Sequence, residues 1–180
     1  MVIAPTPLAS LAQHGSDLAL DVVSQSPEQT RRLGRRLGEL ARPGDVYLLT
    51  GDLGSGKTCL TQGIALGLGI STPVTSPTFT LLNEYTCRSA GARLPLLHAD
   101  LYRLDRPELD AVDLGLEEYL DGAGVCIIEW AERATGLWPA ERLVIRLRTV
   151  AESKRTLVFE PEGERYVALV REFRRAAFGV

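Results

Sequence analysis

Cysteine is scarce in this sequence, and its three cysteines, Cys59, Cys87 and Cys126, are widely spaced. None belongs to a C-x-x-C pair, and no histidine clusters with them. A disulfide framework needs an even set of cysteines, and a structural zinc site needs them grouped, so the sequence indicates neither. Scattered thiols are typical of a reducing compartment, and we therefore expect a cytoplasmic protein.

The chain also lacks a basic excess and any long apolar run. Its 20 Lys and Arg residues are outnumbered by 23 Asp and Glu residues, which gives a formal net charge of −3. Non-specific binding to nucleic acid needs a basic surface, so we expect any contact with RNA to be local or made through a partner. No apolar stretch approaches the length of a membrane-spanning helix. The first sixteen residues carry no Lys or Arg and are broken by Pro5 and Pro7, which argues against a signal peptide.

The length of 180 residues and the hydrophobic content of 45% predict one globular domain. Residues 1–25 show little periodicity and are predicted to be a poorly ordered N-terminal extension that ends in a short strand near Leu18 to Val23. Residues 26–180 are predicted to form the domain. It opens with a capping box in which Ser26 is the N-cap of a helix that runs to about Ala41.

This first predicted helix has a basic face. Its members are Arg31, Arg32, Arg35 and Arg36. A charge run of this kind is usually solvated surface, and a contact with a partner or with RNA is the alternative.

One stretch of the domain carries a strong chemical signal. It matches G-x-x-x-x-G-K-[ST] at every specified position and consists of Gly51, Asp52, Leu53, Gly54, Ser55, Gly56, Lys57 and Thr58. The apolar run Val46 to Leu49 precedes it, and large apolar residues recur after it at helical spacing, so the loop joins a strand to a helix. Glycines let backbone N–H groups close around an anion, and the helix start adds the positive end of its dipole. The loop therefore predicts a phosphate site, in which Lys57 contacts the β- and γ-phosphates and Thr58 ligates Mg²⁺.

Two acidic residues follow other short apolar runs. Asp100 comes after Leu96 to Ala99, and Glu129 comes after Val125 to Ile128. In open α/β sheets, ligands bind beyond the carboxyl ends of the strands, which is where both carboxylates would lie. For each residue alone, a turn or surface position without function is the alternative, and the same holds for His98. Together with the phosphate loop, function is favoured for His98 and Asp100. Glu129 would bind Mg²⁺ directly or through water.

The remaining elements are those of a mixed α/β protein. A hydroxyl-rich segment, Thr75 to Phe79, follows the helix after the loop, and in many P-loop proteins this segment senses the γ-phosphate. Residues 86–93 are predicted to connect two antiparallel strands, and Pro107 to Leu120 to be an acidic, mostly helical excursion. Leu143 to Phe159 predicts a second hairpin. Residues 164–178 predict a terminal helix, whose inward side chains would be Val167, Val170, Phe173 and Phe178.

Four motifs together resemble the bacterial TsaE (YjeE) family in identity, order and spacing. They are Gly51 to Thr58, Ser76-Pro77-Thr78-Phe79 with Glu84-Tyr85, His98-x-Asp100-x-Tyr102-Arg103, and Ile128-Glu129-Trp130. The resemblance covers about residues 26–160. It implies a small ATPase that works with the TsaB and TsaD proteins to make N6-threonylcarbamoyladenosine next to the anticodon of tRNA. It also implies an α/β, P-loop NTPase-like fold with a mainly parallel central sheet, antiparallel strands at the margins and helices on both faces.

The resemblance further implies roles for the strongest matches. Thr58 and Glu129 would hold Mg²⁺, and Lys57 would neutralise the phosphates of ATP. Asp100 would act near the attacking water. The expected catalytic residues are therefore Lys57, Asp100 and Glu129.

Other matches would border the nucleotide. Trp130 would lie beside it, and Thr78 belongs to the family's mobile segment. Glu28 and Arg155 match more loosely the positions near the adenine and ribose. Cys59 departs from the family pattern, since a second threonine is common there.

The resemblance thus implies a Mg²⁺-dependent ATPase that drives the cycle of a TsaB and TsaD complex, with tRNA contacted only through that complex and no membrane contact. Two alternatives remain open: a small-molecule kinase, and a nucleotide-gated binding subunit with negligible turnover. The kinase needs an arginine-bearing lid, and the sequence shows no convincing one, with Arg103 and Arg106 as the nearest candidates. A GTPase is disfavoured because the chain contains no Asn-Lys-x-Asp sequence.

Overall fold

The structure is a computed structural model, which describes residues 18–86, 92–120 and 122–179. Within these residues, seven strands form one sheet. In chain order the strands are β1 (Leu20–Ser24), β2 (Val46–Thr50), β3 (Leu82–Tyr85), β4 (Leu96–Asp100), β5 (Val125–Glu129), β6 (Arg142–Thr149) and β7 (Arg155–Glu162). The helices are α1 (Pro27–Leu40), α2 (Lys57–Gly67), α3 (Pro107–Asp113), α4 (Leu116–Leu120), a 3-10 helix (Ala131–Arg133) and α5 (Glu164–Phe178).

The strand order across the sheet is β1-β7-β6-β2-β5-β4-β3. At the centre, β2 pairs in parallel with β5 and β6, and β5 pairs in parallel with β4. The pairs β1–β7, β6–β7 and β3–β4 are antiparallel and lie at the margins. The expected fold class, a mainly parallel central sheet with antiparallel strands at its margins, is therefore confirmed.

Helices cover both faces of this sheet. Side chains alternate along each strand, so Tyr47 and Leu49 of β2 pack under α1, α2 and α5, while Val46 and Leu48 pack into a second core with α3 and α4. Every residue of β4 and β5 is buried, which suits parallel strands covered on both sides. The sequence pattern of continuous apolar runs follows from this two-sided burial.

The described fold begins before residue 26. β1 pairs with β7 from Leu20 opposite Phe159 to Ser24 opposite Arg155, which confirms the short strand predicted near Leu18 to Val23 and makes it part of the sheet. The remainder of the predicted extension, residues 1–17, lies outside the described residues. The division of the chain at residue 26 stays a prediction.

The predicted capping box at the start of α1 is present in a slightly different form. The Ser26 hydroxyl accepts a hydrogen bond from the Gln29 N–H at 3.2 Å, and Pro27 occupies the first turn. The Gln29 side chain reaches back to the N–H of Gln25, at 2.7 Å, rather than to that of Ser26. The helix ends at Leu40, one residue before the predicted end.

The other predicted elements are found with one error in the terminal helix. The strands β3 and β4 and the strands β6 and β7 form the two predicted hairpins, although residues 87–91, with Cys87, lie outside the described residues. In α5 the buried side chains are Tyr166, Leu169, Val170 and Phe173. Phe178 was predicted to face inward but is 43% exposed, because this stripe of the helix continues to the partly buried Ala177 instead.

Candidate nucleotide-binding site

The phosphate loop lies between the end of β2 and the start of α2. All three of its glycines have a positive φ that favours glycine: Gly51 has φ 131°, Gly54 has φ 76° and Gly56 has φ 104°. A Cβ at Gly51 would also lie 2.1 Å from the carbonyl oxygen of Leu147. Gly56 is the N-cap of α2 and makes no side-chain cap hydrogen bond. The first N–H groups of α2 are therefore left for an anion.

Lys57 lies folded against this loop. Its ammonium donates hydrogen bonds to the carbonyl oxygens of Gly51, at 2.6 Å, and Asp52, at 2.9 Å, and it lies 3.9 Å from the centroid of the Trp130 ring. Burial lowers the pKa of Lys57, and the surrounding carboxylates oppose this effect. In order of strength those carboxylates are Glu129, Glu132, Asp100 and Asp52. Lys57 is therefore the positive centre of a site that is otherwise acidic.

Thr58 and Glu129 meet at the edge of the loop. The Thr58 hydroxyl donates a hydrogen bond to Oε2 of Glu129 at 3.1 Å. The other carboxylate oxygen, Oε1, lies 2.8 Å from Nε2 of His98, and both His98 and Glu129 are buried. Strand β5 ends in Glu129 and so places the Glu129 carboxylate in contact with Thr58, the last residue of the phosphate loop.

Asp100 lies on the strand next to Glu129. Its Oδ2 accepts hydrogen bonds from the hydroxyls of Thr78, at 2.8 Å, and Ser76, at 3.2 Å, and its Oδ1 accepts one from the Tyr102 N–H at 2.9 Å. The hydroxyl-rich segment after α2 is therefore tied to Asp100, as its position in the sequence had suggested.

The sheet register explains why these groups converge. Parallel pairing of β4 with β5 sets Asp100 opposite Glu129 and His98 opposite Ile127. Since side chains alternate along a strand, His98 and Asp100 project to the same face, which is the face that α2 covers. The carboxyl ends of β4 and β5 lie beside the phosphate loop, so Asp100 and Glu129, which end these two apolar strands, become part of one site.

Trp130 forms a wall of the site beside Lys57. Its ring stacks on that of Tyr102 at a centroid distance of 4.8 Å. Its backbone is left-handed, with φ 60°, and it leads into the 3-10 helix. Trp138, like Trp130, packs against the second core, and its Nε1–H donates to the carbonyl oxygen of Ala131.

The more loosely matched residues also lie next to the loop. Arg155 donates a hydrogen bond to the carbonyl oxygen of Gly54 at 3.3 Å. Glu28 is exposed in the first turn of α1, where hydrogen bonds from its own backbone N–H and from Ser26 lower its pKa. The adjacent Pro27 carbonyl accepts a hydrogen bond from the Cys59 thiol at 3.3 Å, which joins the start of α1 to the start of α2.

The remaining loop residues differ in how they face the site. Leu53 is 74% exposed, and Asp52 and Gly54 are also exposed. Ser55 is buried, and its hydroxyl has no partner within the described residues. At these four positions the loop therefore faces the site chiefly with its backbone.

The sequence grouped His98 and Tyr102 with Asp100 in one motif without indicating their contacts, and it gave no indication of a third residue of the site, Glu132. His98 contacts Glu129, Tyr102 stacks on Trp130, and the Glu132 carboxylate faces the Gly51 N–H at 3.5 Å. The alternation His98-x-Asp100 on a strand was a signal for His98, because it places both side chains on one face. The contact of Glu132 depends on the turn after β5 and had no comparable signal.

The donor set at Thr58 and Glu129 fits a magnesium ion. Hydroxyl and carboxylate oxygens are the ligands that Mg²⁺ prefers. In the described parts of the chain, no group of three or more His, Cys, Asp and Glu side chains is arranged to hold a metal ion. Mg²⁺ commonly takes one or two protein ligands and completes its shell with phosphate oxygens and water, so this pair suits a metal that binds together with a nucleotide.

The parallel sheet, the glycine loop at the end of β2 and the helix that starts at Lys57 define a P-loop protein of the α/β class. Across residues 18–86, 92–120 and 122–179, no helix is both long enough and apolar enough to cross a membrane.

Comparison with known proteins gives the family. The family model "Threonylcarbamoyl adenosine biosynthesis protein TsaE" matches residues 24–157. The tRNA threonylcarbamoyladenosine biosynthesis protein TsaE of Bacillus subtilis is 43% identical over 150 residues, which cover 83% of this chain and 90% of that protein. The protein of the same name from Treponema pallidum is 45% identical over 135 residues, which cover 75% of this chain and 96% of that protein.

A solved structure agrees with these sequence matches. The crystal structure of Bacillus subtilis YdiB superposes with a TM-score of 0.75 at 39% identity, and the match covers 88% of this chain and 95% of that one. The chain belongs to the TsaE family, and the resemblance seen in its four motifs is confirmed.

Proposed function

We propose that this protein binds ATP with Mg²⁺ and hydrolyses it as one step of tRNA threonylcarbamoyladenosine biosynthesis in the cytoplasm. The observation that carries the proposal is the convergence of Lys57, Thr58, Asp100 and Glu129 at one sheet edge, with Thr58 and Glu129 joined at 3.1 Å. The relatives at 43% and 45% identity carry the name of that pathway, which supplies the biological setting.

In this proposal the loop and its helix hold the phosphates. The free N–H groups at the start of α2 would bind phosphate oxygens, and Lys57 would leave the loop carbonyls to contact the β- and γ-phosphates. Thr58 and Glu129 would hold Mg²⁺, which would neutralise charge on the transferred phosphate when bound. Trp130 would border the nucleotide, with Glu28 and Arg155 nearer to the adenine and ribose.

Asp100 would position the attacking water. It is a buried carboxylate with both oxygens engaged by hydroxyl and N–H donors, so its orientation is set before any substrate arrives. A carboxylate held in this way can accept a hydrogen bond from water and orient it towards the γ-phosphate. The hydroxyls of Thr78 and Ser76 contact Asp100, so these two residues would respond to a change in the position of its carboxylate.

The proposed partners rest on the resemblance to the TsaE family. We propose that hydrolysis drives the cycle of a complex with TsaB and TsaD, and that tRNA is met through that complex. The test is to reconstitute tRNA modification with TsaB and TsaD and to measure the modified tRNA with and without this protein and with and without ATP. Modification that runs to many turnovers without this protein would contradict the proposal.

The kinase alternative is disfavoured by the arginines that it requires. Arg106 pairs with Asp110 at 3.3 Å, and the Arg103 guanidinium lies over the Phe79 ring at 4.4 Å. Release of inorganic phosphate from labelled ATP without any acceptor would support the ATPase. If the protein is instead a nucleotide-gated binding subunit, no inorganic phosphate should be released even when TsaB and TsaD are added.

A pair of variants separates binding from turnover. Asp100→Ala should keep nucleotide binding and lose about 100-fold or more in turnover, because it removes only the group that positions water. Lys57→Ala should lose both, because it removes the main phosphate contact. Phosphate release and binding of ATP by calorimetry provide the two measurements.

Asp113→Ala is the matched control, since Asp113 is an exposed acid on α3 away from the loop. It should behave like the wild type in both assays. Wild-type turnover in the Asp100 variant would remove Asp100 from the mechanism.

A further inference from the structure

Outside the predicted catalytic set, His98 is a buried polar side chain of the site with a single hydrogen bond to the described residues. It is 0% exposed at the middle of β4, and its Nε2 lies 2.8 Å from Oε1 of Glu129. Its other ring nitrogen, Nδ1, is buried without a hydrogen-bond partner in the described parts of the chain. The imidazole ring of His98 is therefore held by one hydrogen bond, and that hydrogen bond joins it to Glu129.

We propose that His98 is a positioning residue that sets the orientation of the Glu129 carboxylate, and so the affinity of the site for Mg²⁺ in the presence of nucleotide. The inference rests on the proposed function in that it takes Glu129 and Thr58 as the magnesium ligands.

The geometry shows how His98 would act. A carboxylate only accepts hydrogen bonds, so the ring carries its hydrogen on Nε2 and donates it to Oε1. With Oε1 engaged, the second oxygen, Oε2, is the one that faces the Thr58 hydroxyl at 3.1 Å. The bond therefore fixes the orientation of the Glu129 carboxylate, so that one of its two equivalent oxygens is held towards the loop.

Without this bond, Glu129 would have two rotatable side-chain bonds beyond its Cβ and a second orientation open to it. Partners that orient a metal ligand without touching the metal typically contribute 10–100-fold in metal affinity. Because His98 and Asp100 are neighbours on one strand face, the same strand would orient the ligand and carry the residue that positions water.

The first measurement needs neither metal nor nucleotide. The chain has two histidines, His14 and His98, so nitrogen-15 NMR of a His14→Asn variant observes His98 alone. We expect a protonated Nε2 and an unprotonated Nδ1. A hydrogen on Nδ1 with a bare Nε2 would overturn the inference, because the ring could not then donate to Glu129.

The second measurement is the Mg²⁺ dependence of binding of adenylyl imidodiphosphate, a non-hydrolysable ATP analogue, by calorimetry. In His98→Leu, which fills the buried site but has no donor, we expect the half-saturating Mg²⁺ concentration to rise about 10-fold or more. Binding of the analogue without Mg²⁺ should be unchanged, since the loop and Lys57 are intact. His98→Gln should restore part of the Mg²⁺ affinity, because its amide N–H can reach the same oxygen.

A control separates positioning from loss of stability. Ser24→Ala removes another buried polar group, whose hydroxyl bonds to that of Thr30 at 2.8 Å, and should lower stability without changing the Mg²⁺ dependence. If His98→Leu does not fold, the ring tautomer and His98→Gln decide.

The outcomes distinguish the two proposals. Equal Mg²⁺ dependence in the wild type and His98→Leu would overturn the role of His98 and leave the ATP site standing. A wild-type protein that binds the analogue with no Mg²⁺ dependence would overturn the magnesium site, and the role of His98 with it.

Discussion

At the residue scale, Trp130 shows how a single strained position can shape a site. A left-handed backbone is unfavourable for a bulky side chain and persists only where the surroundings hold it. Here the ring is held between Tyr102, at a centroid distance of 4.8 Å, and the Lys57 ammonium, at 3.9 Å. Contact of an ammonium with an aromatic face is attractive, so Trp130 stabilises Lys57 against the loop.

This placement predicts which tryptophan reports on nucleotide. ATP should change the fluorescence of Trp138→Phe, in which Trp130 remains, because displacement of Lys57 alters the surroundings of that ring. Trp130→Phe should respond little, since the Trp138 indole is bonded to the carbonyl oxygen of Ala131, whereas Lys57 lies over the Trp130 ring. A titration of both variants followed by emission provides the test, and an unresponsive Trp138→Phe protein would contradict the placement of Trp130.

The polar residues of the site differ in how far they could be predicted. Gly51 to Thr58 are contiguous, so their chemistry is visible in the sequence. Asp100 and Glu129 could be proposed because each ends an apolar run. The contact between His98 and Glu129 joins residues 31 positions apart, and only the pairing of β4 with β5 brings them together.

At the element scale, the position of the phosphate loop depends on close packing of α1 against α2. Gly34 and Gly38 of α1 face Gly63 and Gly67 of α2, and each helix contacts backbone atoms of the other. A Cβ at Gly38 would lie 2.2 Å from the carbonyl oxygen of Ile64. Glycines four residues apart on both helices thus allow the backbones to approach more closely than side chains would permit.

Gly38→Ala should therefore destabilise the protein, although alanine normally favours a helix over glycine. We expect a loss of about 1–3 kcal/mol in the free energy of unfolding, the usual cost of overpacking. Urea unfolding measures this loss. Leu66→Ala, at an exposed position of α2, is the control and should change stability little. A Gly38→Ala protein as stable as the wild type would show that the two helices can separate at no cost.

At the scale of the whole molecule, both faces of the sheet bury ionisable groups. In the second core, burial raises the pKa of Cys126 to about 12. Near the other face, burial raises the pKa of Tyr166 to about 12, and its hydroxyl accepts a hydrogen bond from the Val46 N–H at 2.7 Å. Neighbouring Asp45 also pairs with Arg165 at 2.6 Å, so the start of α5 is tied to the start of β2.

These shifts predict a loss of stability at alkaline pH. A thiol or phenol whose pKa is raised in the folded state keeps its proton there longer than in the unfolded chain. Its contribution is complete below the unfolded pKa, near 9.0 for Cys126 and 10.0 for Tyr166, and is lost as pH rises towards 12. The free energy of unfolding should therefore fall above about pH 9.

The Cys126→Ala variant tests how much of this alkaline loss of stability is due to Cys126. Between pH 9 and 11 its stability should fall less steeply than that of the wild type, by up to about 1.4 kcal/mol per pH unit. Urea unfolding at a series of pH values measures both slopes. Parallel slopes in the two proteins would contradict the raised pKa of Cys126.

By itself the sequence determined the phosphate loop, the alternation of elements and the family, because these depend on contiguous residues and on local periodicity. Tertiary structure alone decided which polar groups meet: parallel register set Asp100 beside Glu129, and the turn after β5 brought Trp130 to Lys57. It also decided that the short strand β1 joins the sheet and that Phe178 stays partly exposed beside Phe173. The physical reason is that strand pairing and helix packing join residues far apart in the chain, and neither leaves a local pattern from which the partner can be known.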